Sequence, residues 1–530
     1  MGALTLKSFP FELRGWDIEK FESLDPTDGF ASNTKVYVNQ NQIIQIEPSY
    51  DNSNRNSWLS DKGRNFFDGI FKTLPYKNSQ HSQANLSWLK SINRVVYIFD
   101  HCLKQNNRNY FFTIIFNNLS LEILNLLLSM AQSYSFIKLR RPDSLSFNTN
   151  LEHNFQLNSL TKTLKNNQQS LCLLLSTNPR YEGYQLNLNL RKKALNYNFK
   201  CLIIGSIINL TFPTTFLGSN SNIFKTILEG NNFICQHIKH TRKTFLVYNN
   251  KILNWNNAKN LTEIIQSFNT LNTFNGIWNT LNILNSGLSD TGIFASKLFP
   301  KITSTDFDKS NTIYSINTTS IVDISNLQKI IELKSLKSLL IDNYFVSLHK
   351  CFIHQTYQKN NLLDFYRKMA PQQIYLVGSN FFTTKGTFVN TLGFTKRTVN
   401  LISTERNDWQ ILRKLLRQFK TKLNFLNAHV NQNICFNMKK FFSFRYFIEL
   451  NYHPTVSLHY YNVNLKYKNN PILLNFLSSN FKVRIKKLFY TKLKFWLNDL
   501  YNESVDEYSQ HSATLNNCSK ILRLESTNFF

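Results

Sequence analysis

Apolar positions along the chain repeat with two different periods. In "KVYVNQNQIIQIE", residues 35–47, Val36 and Val38, then Ile44 and Ile46, alternate around polar Asn39-Gln40-Asn41. That period of two predicts a hairpin. From about residue 86 the period lengthens, and Leu86, Leu89, Ile92, Val96 and Phe99 share one face of a predicted helix. "NYFFTIIF" then reads as a buried strand, and "SLEILNLLLSMAQSY" as a helix with Ser120 near its start. "SLCLLLS" and "FKCLIIGS" are two more continuous apolar runs. Such runs alternating with helices predict a parallel sheet covered on both faces. The alternation returns with strands at "KTFLVYNN", "LKSLLIDN", "HKCFIHQTY" and "QIYLVGSN". Helices are predicted at "GIWNTLNILNSG" and "ERNDWQILRKLLRQF", and residues 300–327, rich in Ser, Thr, Asn and Asp, read as a long loop.

The pattern therefore predicts an α/β fold in three parts. A small β-rich segment occupies residues 1–75, an α/β region with two Rossmann-like parallel-sheet units spans 76–430, and a basic extension fills 431–530. In that extension eleven Lys or Arg lie between Lys439 and Lys494, against the single acid Glu449. The stretch "FKVRIKKLFYTKLKFWL" interleaves these cations with apolar residues on one broad helical face, which predicts packing on neighbouring subunits or anionic lipid.

Composition changes the picture in one respect. The chain has 45 Phe and 23 Tyr but only 15 Gly and 11 Pro, the bias of an A/T-rich organelle genome. No arginine-rich presequence opens it, as expected of a product made inside the organelle that uses it. The formal charge of +29, from 61 basic and 32 acidic side chains, suits an anionic partner, yet codon bias alone also enriches Lys. Cys102, Cys172, Cys201, Cys235, Cys351, Cys435 and Cys518 are far apart and form no CxxC, so neither an iron–sulfur cluster nor a zinc ribbon finds its ligands. No run of eighteen apolar residues exists, and no membrane span is expected.

Candidate chemistry is sparse. Gly205 follows a strand without any phosphate-binding glycine pattern. Cys235, His237 and His240 sit among Lys239, Arg242 and Lys243, which repel a cation, and strand alternation separates His354 from His349 and Cys351. Both trios read as ordinary surface and core. Arg180 in "STNPRYEG" either holds an anion at a sheet's end or pairs with Glu182, the pairing being the better reading.

Several stretches resemble one family. "WLSDKGRNFFDGI" (58–70) is similar to a motif of the largest peripheral-arm subunit of respiratory complex I, the NADH:ubiquinone oxidoreductase. So is the opening, through Gly2-Ala3-Leu4-Thr5, Lys7, Arg14, Trp16, Lys20, Glu22, Ser23, Asp25, Asp28, Ser32 and Asn33. "STNPRYEG" (176–183), "GTFVNTLG" (386–393), "NDWQILRKL" (407–415) and "SQHSATLNNCS" (509–519) extend the likeness over most of the chain. The resemblance implies the carboxy-terminal, molybdopterin-oxidoreductase-like half of that subunit, in degenerate form. The half that carries the iron–sulfur clusters is then expected as a separate polypeptide. Where active pterin enzymes carry two acids and an arginine, this chain has Thr383, Leu392 and Phe394, which implies that no cofactor is bound.

The expectation is a structural subunit on the matrix side of the mitochondrial inner membrane, with no nucleic acid as partner, encoded in the mitochondrial genome. Neither a catalytic nor a metal residue is assigned. The partner interface is expected at Phe9, Phe11, Arg14, Trp16 and Phe21, facing the cluster-bearing chain, with other complex I subunits around it. Two other readings compete: an active molybdopterin-dependent oxidoreductase, and a basic organellar RNA-binding or ribosomal protein.

Overall fold

The computed structural model describes residues 13–49, 58–68, 111–141, 170–252, 281–295, 310–316, 348–353, 373–377, 381–402, 407–424 and 512–527, apart from a few positions within those spans, and part of the helix between 88 and 99. The stretch 431–511, with the basic run Lys439–Lys494, and the predicted strand 336–343 lie outside the described residues.

The opening sheet is an antiparallel meander of β1 (Glu19–Leu24), β2 (Asn33–Asn39) and β3 (Gln42–Pro48). Gln40 and Asn41, with φ of 46° and 65°, make the two-residue turn whose twist matches the strands it joins. The hairpin is as predicted, with one correction. Val38 pairs with Ile43 and Tyr37 with Gln45, so Ile44 is an extra residue in β3. This bulge turns Ile43 inward beside Ile46, and Ile44 is left only half-buried.

Next along the chain come β4 (Phe111–Phe116) and β5 (Ile137–Arg140), then β6 (Ser170–Leu175), β7 (Phe199–Ile204), β8 (Thr215–Gly218), β9 (Lys243–Asn249) and β10 (Leu281–Leu284). The strands β11 (Ser310–Ile316), β12 (Leu348–Ile353) and β13 (Gln373–Val377) follow, and the short pair β14 (Thr387–Val389) and β15 (Thr395–Arg397) closes the series. They build two five-stranded sheets, ordered β10-β9-β6-β7-β8 and β13-β12-β11-β4-β5.

The first sheet is parallel throughout. The run "SLCLLL" shows why it reads as continuously apolar. Leu171, Leu173 and Leu175 join Leu246 and Tyr248 in a core on one face, while Cys172 and Leu174 join Phe245 and Val247 on the other. Both faces are covered, so no position is left for polar alternation. In the second sheet β11, β4 and β5 are parallel, but β12 runs antiparallel to both its neighbours, β11 and β13. The apolar runs there were expected to be parallel, and run composition alone does not distinguish the two directions.

Two further expectations are overturned. Residues 281–284 are not helical but form the edge strand β10, because Leu281–Leu284 pairs in register with Leu246–Asn249. The spacing of Leu281, Leu284 and Leu288 fits a helix equally well, so pattern alone misleads. Within the supposed loop 300–327 lies β11, whose Tyr314 and Ile316 are buried at a strand's period of two between β4 and β12. Helix Leu121–Ser133, with Ser120 at its N-cap as expected, packs on the second sheet. Beside it lie the helix near 88–99 and the helix Asp408–Asn424, in one core with Ile114, Leu127 and Leu415.

Candidate functional site

In the first sheet the chain runs from β6 outward to β7 and β8, then returns to the other flank with β9 and β10. The order therefore reverses between β6 and β9, and the crevice outside the carboxyl ends at such a point is where open α/β sheets bind ligands. Ser176, Thr177 and Asn178 follow β6 there, Asn249 ends β9 and Asn285 follows β10, all buried. The carboxyl ends of the second sheet's parallel strands face the same place, with Asn118 beyond β4 and Arg141 beyond β5.

Direct bonds tie the two edges together. The Arg141 guanidinium donates to Asp290 Oδ1 at 3.1 Å and stands 5.7 Å from the centre of the Phe294 ring. Asp290 Oδ2 accepts the Gly287 N–H at 2.9 Å, and Ser289 Oγ donates to Asn118 Oδ1 at 3.0 Å. Both Glu122 oxygens accept the Thr387 N–H, at 3.1 and 3.0 Å.

What remains of the crevice is filled from above. The Thr391 N–H donates to the Gly29 carbonyl, and Asn390 holds its own turn through the N–H groups of Leu392 and Phe394 while its Nδ2 reaches the Phe30 carbonyl. Gly29 lies so close to the Asn285 carbonyl that a Cβ would collide with it. A Cβ on Gly183 would stand 2.9 Å from both Phe30 and Leu284. Phe30 and Leu392 thus enter one apolar core with Leu174, Val247 and Leu284, and Phe394 packs against it.

Beneath Phe30 is a knot of buried polar groups. Asp25 Oδ1 accepts from the Thr27 N–H and hydroxyl, and Asp28 Oδ1 from the Phe30 N–H. The Tyr184 hydroxyl bridges Ser32 Oγ at 2.6 Å and the Trp58 carbonyl at 2.8 Å. Lys396 Nζ donates to the Ala31 carbonyl and Asn33 Oδ1. Burial, and then the Asp25 carboxylate beside it, push the Asp28 carboxyl well above the usual carboxylate range, against the opposing pull of Lys396. Burial likewise raises the Tyr184 phenol, with Asp28 and Asp25 adding to it.

The profile of the molybdopterin oxidoreductases matches residues 76–349 of this chain. The chain belongs to the molybdopterin oxidoreductase family. It is also similar to the NADH-ubiquinone oxidoreductase 75 kDa subunit of Reclinomonas americana, 24% identical over 99% of this chain and 71% of that protein. The mitochondrial 78 kDa subunit of Candida albicans is 23% identical over 80% of this chain and 56% of its own length. The mitochondrial iron-sulfur protein 1 of NADH dehydrogenase [ubiquinone] from Solanum tuberosum is 21% identical over 78% and 53%.

A pterin dinucleotide, the cofactor this family's name implies, does not fit the residues present. The crevice is already occupied by Phe30 and Leu392, each 2% exposed. An anionic cofactor would find no uncommitted cation in Arg141 or Lys396, which are engaged within the chain, and Asp25 and Asp28 are buried close by Lys396. The three altered positions follow the same logic, since Thr383 and Leu392 are buried and Phe394 is packed into the core.

The stretches that carried the sequence resemblance converge here. Ser60 caps the helix Asp61–Asn65 through the Gly63 N–H at 3.0 Å, and Gly63 presses directly on the Asp25 carboxylate. Asp68 accepts the N–H and hydroxyl of Thr514, and Ser512 donates to the Asn65 carbonyl, which pins the tail helix Ala513–Thr527 to the same motif. "STNPRYEG" sits at the end of β6, but Arg180 does not pair with Glu182. Glu182 is buried and accepts the Asn178 N–H, whereas exposed Arg180 donates to the Asn209 carbonyl. Gly205, at φ 142°, makes a turn that returns to Gly218.

Cys235 turns inward to the Ile227 carbonyl while His237 stands exposed beside Lys200, and the side chains of His240, His349 and Cys351 lie outside the described residues with His354. Among the described residues no three potential ligands cluster. Phe9 and Phe11 also lie outside the description. Trp16 is 76% exposed with Arg14 stacked 5.3 Å from its ring centre, whereas Phe21 packs into the chain's own core with Val36 and Leu401. Sequence reasoning missed Glu122, Arg141, Asp290 and Tyr184. Each is a single polar residue beside an apolar run, and its importance lies in a partner as many as 265 positions away.

Proposed function

We propose that this chain is a structural subunit of the peripheral arm of respiratory complex I, on the matrix side of the mitochondrial inner membrane, and that it holds no redox centre. The similarity to the 75 and 78 kDa subunits supports the assembly. The observation that carries the structural role is the filled crevice: Phe30 and Leu392 occupy it, and the Arg141–Asp290 pair closes it. On this reading the iron–sulfur clusters belong to a polypeptide outside these 530 residues, and the exposed Trp16 with Arg14 contacts it. The chain braces that partner and keeps the electron path at fixed spacing while NADH is oxidised and ubiquinone reduced, with proton pumping, elsewhere in the assembly. No helix among the described residues is long and apolar enough to cross a membrane, which suits a peripheral position.

Native electrophoresis with an in-gel NADH dehydrogenase stain is the test. The chain is expected to co-migrate with the stained band, and the isolated chain to contain no stoichiometric molybdenum, tungsten, iron or zinc. Co-migration with ribosomes, or one of those metals at stoichiometry, overturns the proposal. Trp16→Ala is expected to lower retention of the cluster-bearing partner at high salt without altering this chain's own melting, because the side chain makes little contact within the fold.

A further inference from the structure

The helix near 88–99 and the helix Asp408–Asn424 lie side by side. Phe99 stacks on Phe419 with ring centres 3.6 Å apart, and Gln418 Nε2 donates to Asn93 Oδ1 at 3.4 Å. Their inward residues, including Ile92, Val96, Ile411 and Leu415, share one core. Outward, the first helix presents Leu89, Asn93 and Tyr97, spaced by four and therefore one stripe, with Leu89 and Tyr97 56% and 47% exposed. The second presents Arg413 and Arg417, one turn apart, with Lys414 half-buried beside them.

Apart from Asp408 in the first turn of the second helix, neither stretch contains an acid. Residues 86–99 hold Lys90 and Arg94, and residues 409–424 hold Arg413, Lys414, Arg417, Lys420 and Lys422. Like charges one turn apart disfavour the helix that carries them. Among the described residues no acid pairs with Arg413 or Arg417, and this cationic row beside an exposed apolar stripe is complementary to an acidic, amphipathic surface.

We propose that this two-helix face docks an amphipathic acidic helix of another polypeptide, with its carboxylates on Arg413 and Arg417 and its apolar stripe on Leu89 and Tyr97. The inference holds whatever assembly the chain joins. Helix-in-groove recognition reads anchors at this i, i+4 spacing, and paired charges set its register. Within the chain's own extension the run Lys439–Lys494 is a poor occupant, since it holds eleven cations and one acid, whereas the run with Asp499, Glu503, Asp506 and Glu507 is the in-chain rival that an adduct with this chain itself would reveal. A membrane surface is disfavoured too: the helix Asp408–Asn424 spends Ile411, Leu412, Leu415 and Phe419 on the core and keeps no apolar face to insert.

The test places a benzophenone amino acid at Leu89, and separately at Arg413, in the full chain within its native assembly. Illumination is expected to give an adduct with a second polypeptide, at a segment with Asp or Glu at helical spacing. R413E/R417E is expected to lower the Leu89 adduct by about tenfold or more, with R413K/R417K near the parent level. An adduct with lipid, with RNA or with this chain itself overturns the proposal, as does an acid-poor target segment or no adduct at all. Should the charge-reversed variant fail to fold, the identity of the parent chain's adduct decides.

Discussion

Asp28 concentrates the chemistry of the site in one carboxyl. Burial and Asp25 raise its pKa, the backbone N–H of Phe30, Lys396 and the backbone N–H of Ala31 oppose them, and Asp28 in turn acts on Tyr184. Its folded pKa is raised, so the folded protein retains a proton that the unfolded chain releases. Stability is then full at low pH, below the unfolded value, and is lost as pH rises toward the folded value. Each unit of elevation corresponds to about 1.4 kcal/mol. Asp28→Asn keeps the shape and removes the titration. Urea midpoints of the parent chain are expected to fall as pH rises above the ordinary carboxylate range, about 4, and those of D28N to stay flatter over the same rise. Parallel curves for the two proteins would rule out a neutral Asp28 in the fold.

The element that most depends on a single contact is the helix Asp408–Asn424. Phe419 is fully buried and stacks on Phe99, which in turn meets Tyr134 edge-on with ring centres 5.3 Å apart. One side chain thereby joins three segments far apart in sequence. Phe419→Ala is expected to cost about 3–5 kcal/mol, the usual range for a large aromatic deleted from a core. Thermal or urea unfolding of the intact chain measures it. The same truncation should also disturb the cationic face, since Gln418 and Arg417 adjoin it, whereas R413A is expected to leave melting nearly unchanged because its side chain is exposed.

At the scale of the molecule, the two five-stranded sheets are held as one body where a cofactor crevice would lie. Arg141 and Asp290, 149 residues apart, are its central bond. Arg141→Ala leaves a buried carboxylate without its guanidinium and is expected to destabilise by about 3–5 kcal/mol. Exchange of both partners for well-packed apolar residues is expected to cost much less, since a buried pair gains little over a hydrophobic isostere. Hydrogen exchange at Leu284 and Phe116, on either side of the pair, distinguishes local opening of the crevice from global loss: in R141A their protection should fall before that of Leu173 in the centre of the first sheet.

Much of this was legible in the sequence because its physical cause is local. Continuous apolar runs such as "SLCLLL" marked strands buried on both faces, alternation marked the hairpin, and amphipathic spacing marked the helices Leu121–Ser133 and Asp408–Asn424. The resemblance located the stretches that surround the crevice, but that Leu392 and Phe394 pack into an apolar core there was not legible before the fold. Tertiary structure alone decided the rest. A four-residue edge strand such as β10 takes its identity from the neighbour it pairs with, the reversed course of β12 follows from how the chain returns, and the bulge at Ile44 follows from register. Nor can a chain's local pattern show that Glu122 meets Thr387, or that Gly29 lies beneath Asn285. These contacts depend on which distant segments the packed core brings together, and periodicity carries no information about that choice.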